Sequence, residues 1–201
     1  MATVAKPYYT EAEYLARERQ AEHKSEYCRG EIFAMAGATR EHNLIVGNLV
    51  RAFGNQLAQR RCEVYPSDMR VRLPSGLYTY PDVTITCGEP KFLDDDVDTL
   101  LNPTVVVEVL SESTEAYDRG KKFEHYRMVK SIMHYVLIAS DRAHIEVYTR
   151  DQHWTLTETN GLESAIDLPA INCRLVLAEV YDKVAIEQNE GTGAAESPHV
   201  S

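Results

Sequence analysis

The run Thr104-Val-Val-Val-Glu-Val-Leu110 constrains the fold of this chain more than any other feature. Its β-branched residues favour a strand, and alternation puts Val105, Val107 and Val109 on one face and Val106, Glu108 and Leu110 on the other. A strand apolar on both sides belongs inside a sheet that is covered on both faces. A carboxylate within it is costly unless a cation or a fixed base balances its charge. Glu108 therefore stands either at a functional site, in a structural ion pair, or on an edge facing water.

The neighbouring segments supply the covering layers. Val46, Leu49, Val50, Phe53 and Leu57 recur at spacings of three and four behind a Thr39 cap, which predicts a helix over 39–59. A short helix is expected over 10–19 and a further one over about 114–128. Strands are predicted over 25–28 and 31–36, turning at Arg29-Gly30, and over 62–65, 69–73, 80–86, 133–139, 143–149 and 154–158. The loop 88–102, with Asp94-Asp-Asp-Val-Asp98, reads as acidic and solvated. This order implies a mixed sheet flanked by helices in the α/β (α+β) class, with extra hairpins at the N- and C-terminal ends. Residues 1–187 are expected to form a single domain, and 188–201, rich in Gly, Ala, Ser and Glu, a frayed tail.

Composition removes several function classes. With 44% hydrophobic and 26% charged residues among 201, the chain is that of a globular protein. It lacks the roughly 20 consecutive apolar residues of a membrane span and an apolar N-terminal run, so a cytoplasmic location is expected. A net charge of −10 argues against a broadly basic nucleic-acid coat. Any groove for phosphates would draw on Arg60-Arg61, Lys121-Lys122, Arg70 and Arg72. Cys28, Cys62, Cys87 and Cys173 form no zinc or thioredoxin motif and read as free thiols in a reducing compartment. His23, His125, His134, His144 and His153 have no ligand spacing and read as surface or satisfied side chains. Ser111-Glu-Ser-Thr114 lacks the glycines of a nucleophile elbow, and no P-loop or dinucleotide fingerprint is present.

Two further elements join Glu108. In Tyr80-Pro-Asp-Val-Thr-Ile-Thr86, alternation sets Asp82, Thr84 and Thr86 on one face. An Asp after proline is often a plain turn former, but strands paired with Asp82 and Glu108 on one face could share a hard divalent cation such as Mg²⁺. Asp118, Lys122 and Tyr126 stand at i, i+4 and i+8, on one helix face. The short connection after Glu108 folds that helix back, so that Lys122 can reach a phosphate or water beside the metal. A solvated salt bridge is the alternative.

The pieces Tyr80-Pro-Asp-Val83 and Val106-Val-Glu-Val-Leu-Ser111, followed by Ser113-Thr114 and Asp118, Lys122 and Tyr126, resemble the PD-(D/E)XK, restriction-endonuclease-like nuclease superfamily. More closely they resemble the bacterial Uma-type family of proposed restriction endonucleases. The likeness extends from Tyr9-Thr10-Glu-Ala-Glu-Tyr14 through Gly30-Glu-Ile-Phe-Ala-Met35, Glu41-His42 and Pro66-Ser-Asp-Met-Arg-Val71 to Glu146-Val-Tyr148. The resemblance implies a restriction-endonuclease-like fold and a Mg²⁺ (or Mn²⁺) ion on Asp82 and Glu108. It also implies DNA as substrate, Lys122 as third catalytic residue and a homodimer or higher homo-oligomer. Leu110 stands where the superfamily has its lysine, and Lys122 looks like the migrated replacement. Glu31, Glu41 and His42 match recurrent family positions, one of which would complete the metal shell or orient water, with Asp118 and Tyr126 in support. As bland alternatives, Glu31 is a hairpin-turn residue and Glu41-His42 a helix-first-turn pair. A non-catalytic DNA-binding or protein-interaction module on the same fold is the rival reading.

Overall fold

In the computed structural model, residues 7–186 are described. The elements run α1 (Glu11–Glu18), β1 (Ser25–Cys28), β2 (Glu31–Ala34), α2 (Arg40–Leu57), β3 (Cys62–Pro66), β4 (Arg70–Arg72), β5 (Leu77–Thr79), β6 (Val83–Cys87), β7 (Thr99–Leu100) and β8 (Val105–Leu110). They continue with α3 (Glu115–Tyr117), a π-helical turn (Asp118–Lys122), α4 (Phe123–Tyr126), β9 (His134–Ala139), β10 (His144–Arg150), β11 (Trp154–Asn160), β12 (Ala165–Leu168), β13 (Cys173–Val176) and α5 (Leu177–Val180).

The apolar strand β8 lies inside a mixed sheet ordered β11-β10-β9-β8-β6-β3, parallel to β9 and antiparallel to β6, with all its residues buried. On one face Val105, Val107 and Val109, with Val83, Ile85, Val136 and Ile138, pack against Ile45, Leu49, Phe53 and Leu57 of α2. Thr39 caps that helix, its hydroxyl accepting from the His42 N–H at 3.2 Å. The other face packs Val106, Leu110, Tyr135 and Leu137 against Tyr126 and against Val71, Leu73 and Leu77. A second sheet, β2-β1-β5-β4-β7, closes this side, and the α1 residues Tyr14 and Leu15 seal it over Tyr27 and Tyr78. The fold is mixed α+β.

The β1–β2 hairpin turns at Arg29-Gly30, both with positive φ, as a tight two-residue turn demands. Tyr8 lies over Gly30 so closely that any Cβ there would overlap its ring. The helix expected over 114–128 is instead two short α-turns flanking the wide turn Asp118–Lys122, because Asp118 and Lys122 turn inward and are buried. The loop 88–102 is not simply solvated: Asp94, Asp96 and Asp98 converge on Arg19, Asp98 also pairs with Arg70, and Thr99–Leu100 joins the second sheet. Arg70 is thereby buried and withdrawn from any phosphate groove, while Arg72 pairs with Glu11.

The free-thiol reading is corrected for two cysteines. Strands β3 and β6 pair with Cys62 directly opposite Cys87, and the two form a disulfide; Cys28 and Cys173 are free. The 25-residue separation conceals this neighbourhood in the sequence. The three-residue strand β5 lay below the run length that periodicity detects, and β12 and β13 were not predicted. The tail expected over 188–201 lies outside the described residues. Among the described residues no helix is long and apolar enough to cross a membrane.

Candidate active site

The β6–β8 register pairs Val83 with Val107 and Thr84 with Val106. One step further it sets Asp82 opposite Glu108, at the point where the strands part. Asp82 Oδ2 accepts the Val109 backbone N–H at 2.7 Å, and Oδ1 lies 3.0 Å from His42 Nε2 in the first turn of α2. The carboxylate is thus fixed by β8 on one side and by α2 on the other.

Glu108 projects to the opposite side from Val107 and meets the wide turn. Lys122 Nζ lies 2.9 Å from Glu108 Oε1, 3.4 Å from Asp118 Oδ1 and 3.5 Å from Glu26 Oε1. The Tyr126 hydroxyl donates to the same Glu108 oxygen at 2.8 Å. Tyr135 donates to the Asp118 carbonyl at 3.0 Å, pinning the turn to β9. Glu26 on β1 accepts in addition from Thr79 Oγ1. Three carboxylates, Glu26, Glu108 and Asp118, therefore gather around one ammonium, and Asp82 lies close enough to Glu108 to repel it.

The electrostatics follow from that imbalance. Burial pushes the Glu108 carboxyl well above the ordinary range, Asp118 and Asp82 add to the push, and Lys122 opposes it. Asp118 is raised, chiefly by burial, against the pull of Lys122. Burial alone would discharge Lys122, but Glu108, Glu26 and Asp118 outweigh it and hold the ammonium protonated. Tyr126 is raised by burial and by Glu108 beside it. A largely buried site rich in hard carboxylate oxygens suits a small divalent cation.

Of the sequence-predicted residues, Asp82, Glu108, Lys122, Asp118, Tyr126 and His42 come together here. Glu41 does not: it is half-buried and pairs with Arg40 at 3.3 Å. Glu31 opens β2 and lines a surface cavity with Tyr9, Arg17 and Phe33. Leu110, where the superfamily lysine would stand, is buried among Val106 and Leu137, so an ammonium has to arrive from the turn. A second cluster, His144, Glu146 and Glu158, has its ligand atoms within 4.8 Å of one another. Its His144 is satisfied by Glu146 at 2.8 Å and Asn160 at 2.7 Å.

The family model described as "Putative restriction endonuclease", Uma2, matches residues 11–178. The chain belongs to the Uma2 family. Two uncharacterized Synechocystis sp. proteins are similar to it. The protein sll1609 is 40% identical over 161 residues, covering 79% of this chain and 91% of its own length. The protein slr1290 is 34% identical over 184 residues, covering 89% and 94%. The crystal structure of a "putative nuclease belonging to DUF820" from Anabaena variabilis superimposes with a TM-score of 0.69 at 17% identity, over 85% of this chain and 96% of that one. At that identity the likeness shows a shared fold. Uma2 membership and this fold mark the chain as restriction-endonuclease-like.

Glu26 is the site residue that sequence reasoning missed in this Uma2 protein. It alternates with Tyr27 in a four-residue strand read as a peripheral hairpin, and nothing local separates it from a surface glutamate. Its place appears once β1 packs beside β5 and the hairpin is seen to wall the site.

Proposed function

We propose that the protein is an endonuclease that hydrolyses DNA phosphodiester bonds with Mg²⁺ or Mn²⁺, acting in the cytoplasm as a homodimer, on one domain spanning 1–187. The observation that carries this reading is the surplus of buried carboxylate around Asp82, Glu108 and Lys122 where two strands part. Asp82 and Glu108 are the metal-holding residues, and the ion, when bound, would polarise the scissile phosphate and acidify a bound water.

The chain's own groups do the positioning. Val109 N–H and His42 aim Asp82, while Tyr126 and Lys122 saturate Oε1 of Glu108, so the capacity remaining on that carboxylate lies on Oε2. Lys122 supplies a fixed positive charge for a phosphate oxygen or for orienting the attacking water. His42 ties Asp82 to the first turn of α2 through Oδ1. The exposed Lys121, next in the chain to Lys122, is a group able to meet the DNA backbone. A homodimer supplies two such sites, one for each strand of a duplex.

One observation favours the rival, a non-catalytic DNA-binding or interaction module. The Lys122 ammonium faces three carboxylates at 2.9–3.5 Å and so serves as an internal counter-ion. Cleavage separates the two readings, and a thermal-shift titration with Mn²⁺ tests the metal site on which the nuclease depends. The nuclease reading expects a rise in melting temperature that shrinks in Asp82→Asn, and equal shifts in both proteins would remove the proposed metal site.

A further inference from the structure

The turn that carries Asp118 and Lys122 is held on the sheet from two sides. At its C-terminal end Phe123 stacks on Tyr135, ring centroids 5.3 Å apart, and meets the rings of Tyr148 and Trp154. Nearer its start, Arg119 points away from the Lys122 cluster and towards β10. Arg119 Nε donates to Glu115 Oε1 at 2.8 Å, and Nη1 donates to Glu146 Oε2.

Glu146 is itself a fixed post. It is 5% exposed, and its Oε1 lies 2.8 Å from His144 Nε2, whose ring is steadied by Asn160. The His144 backbone N–H donates to the Tyr181 hydroxyl at 3.1 Å, and that hydroxyl donates to the Ala139 carbonyl of β9. Burial pushes the Glu146 carboxyl upward, but hydrogen bonds from Arg119 and His144 outweigh it and hold the group below its ordinary value. Glu158 stands directly across from Glu146 in the β10–β11 pairing, so Arg119 offsets the repulsion between two facing carboxylates. A wide i→i+5 turn is uncommon and needs its surroundings to persist. Rewinding it to ordinary α-helix would change the angular position of Lys122 relative to Asp118 and draw the ammonium off Glu108.

We propose that Arg119 and Glu146 are a positioning pair that keeps this turn open and so sets Lys122 and Asp118 against Glu108. Its effect on rate rests on the nuclease reading; its effect on the turn does not. The test compares wild type with Arg119→Ala, Glu146→Gln, the double variant and Arg119→Lys by two readouts. Amide hydrogen exchange of residues 118–122 should rise about tenfold in both single variants, with β9 unchanged. Plasmid cleavage in Mn²⁺ should show kcat lower by on the order of tenfold with KM within about twofold. The double variant should be no worse than either single one, because the pair acts as a unit, and Arg119→Lys should recover part of the loss. Unchanged exchange at 118–122 overturns the pair whatever the enzyme does. Faster exchange with unaltered kcat, or losses that multiply in the double variant, overturns its link to Lys122. Faster exchange in a protein that cleaves nothing even as wild type supports the pair and removes the nuclease reading instead.

Discussion

The side of the central sheet that packs on α2 and the side that carries Glu108 are made by the same strand with opposite chemistry. Val105, Val107 and Val109 enter an aliphatic layer with Ile45, Leu49 and Phe53. Val106 and Leu110 enter a second apolar layer with Val71, Leu73, Leu77 and Leu137, and Glu108 between them meets tyrosines, carboxylates and one ammonium. Burial of hydrocarbon stabilises the first side by roughly 25 cal/mol per Å² removed from water. On the second, each charge loses hydration, and its partners only partly offset the loss. Both faces of β8 are anchored by hydrocarbon, but only one of them also buries charge, and it does so at the single position of Glu108.

Truncating the α2 side should have the largest effect on folding. Phe53 is fully buried. Phe53→Ala should cost about 3–5 kcal/mol in denaturant unfolding, with cleavage per folded molecule unchanged. A variant that stays stable but loses activity would mean that the two sides are not separable.

The α2 side also holds a titratable group, which sharpens the contrast. His134 has 0% exposure, and its Nε2 accepts the Ala170 N–H at 3.1 Å, so Nδ1 carries the proton and donates to Thr149 Oγ1 at 3.0 Å. Burial lowers its pKa from 6.5 to about 4. A folded pKa below the unfolded one means that the stabilisation is complete above about pH 6.5 and is lost as pH falls through about 4. Between pH 7 and pH 5 the loss should be roughly 2 kcal/mol. His134→Gln should remove this part of the acid sensitivity, and an unchanged pH profile would place it in other groups.

The smallest of these effects belongs to the charged side. Lys122→Met makes the carboxylate cluster more negative. Calorimetric titration at pH 8 should therefore show Mn²⁺ bound about tenfold more tightly, about 1.4 kcal/mol. Weaker binding would make the ammonium a support of the metal site instead of its competitor.

Much of this division was legible in the sequence. Alternation in Val105–Leu110 separated the two faces of β8, whereas the common side of Asp82 and Glu108 was conditional on the β6–β8 register. Spacing of three and four located α2. What stayed hidden depended on long-range register and on departures from regular geometry. Cys62 and Cys87 are neighbours only through the β3–β6 pairing, and Glu26 reaches Lys122 only through the packing of β1 beside β5. The wide turn has no propensity signature in Asp118-Arg-Gly-Lys-Lys122, whose i, i+4 spacing suits an ordinary helix equally well. The acidic loop 94–98 looked solvated because its partner, Arg19, lies some 75 residues earlier in the chain.

Plasmid relaxation decides whether Asp82, Glu108 and Lys122 form the proposed metal-dependent nuclease centre. Supercoiled DNA at low salt, with and without Mn²⁺, is incubated with wild type and with Glu108→Gln, which preserves the shape of the side chain. Nicking or linearisation by wild type should require the metal and fall by on the order of a hundredfold or more in the variant. Cleavage that persists in Glu108→Gln, or that proceeds equally without divalent metal, would contradict that proposal.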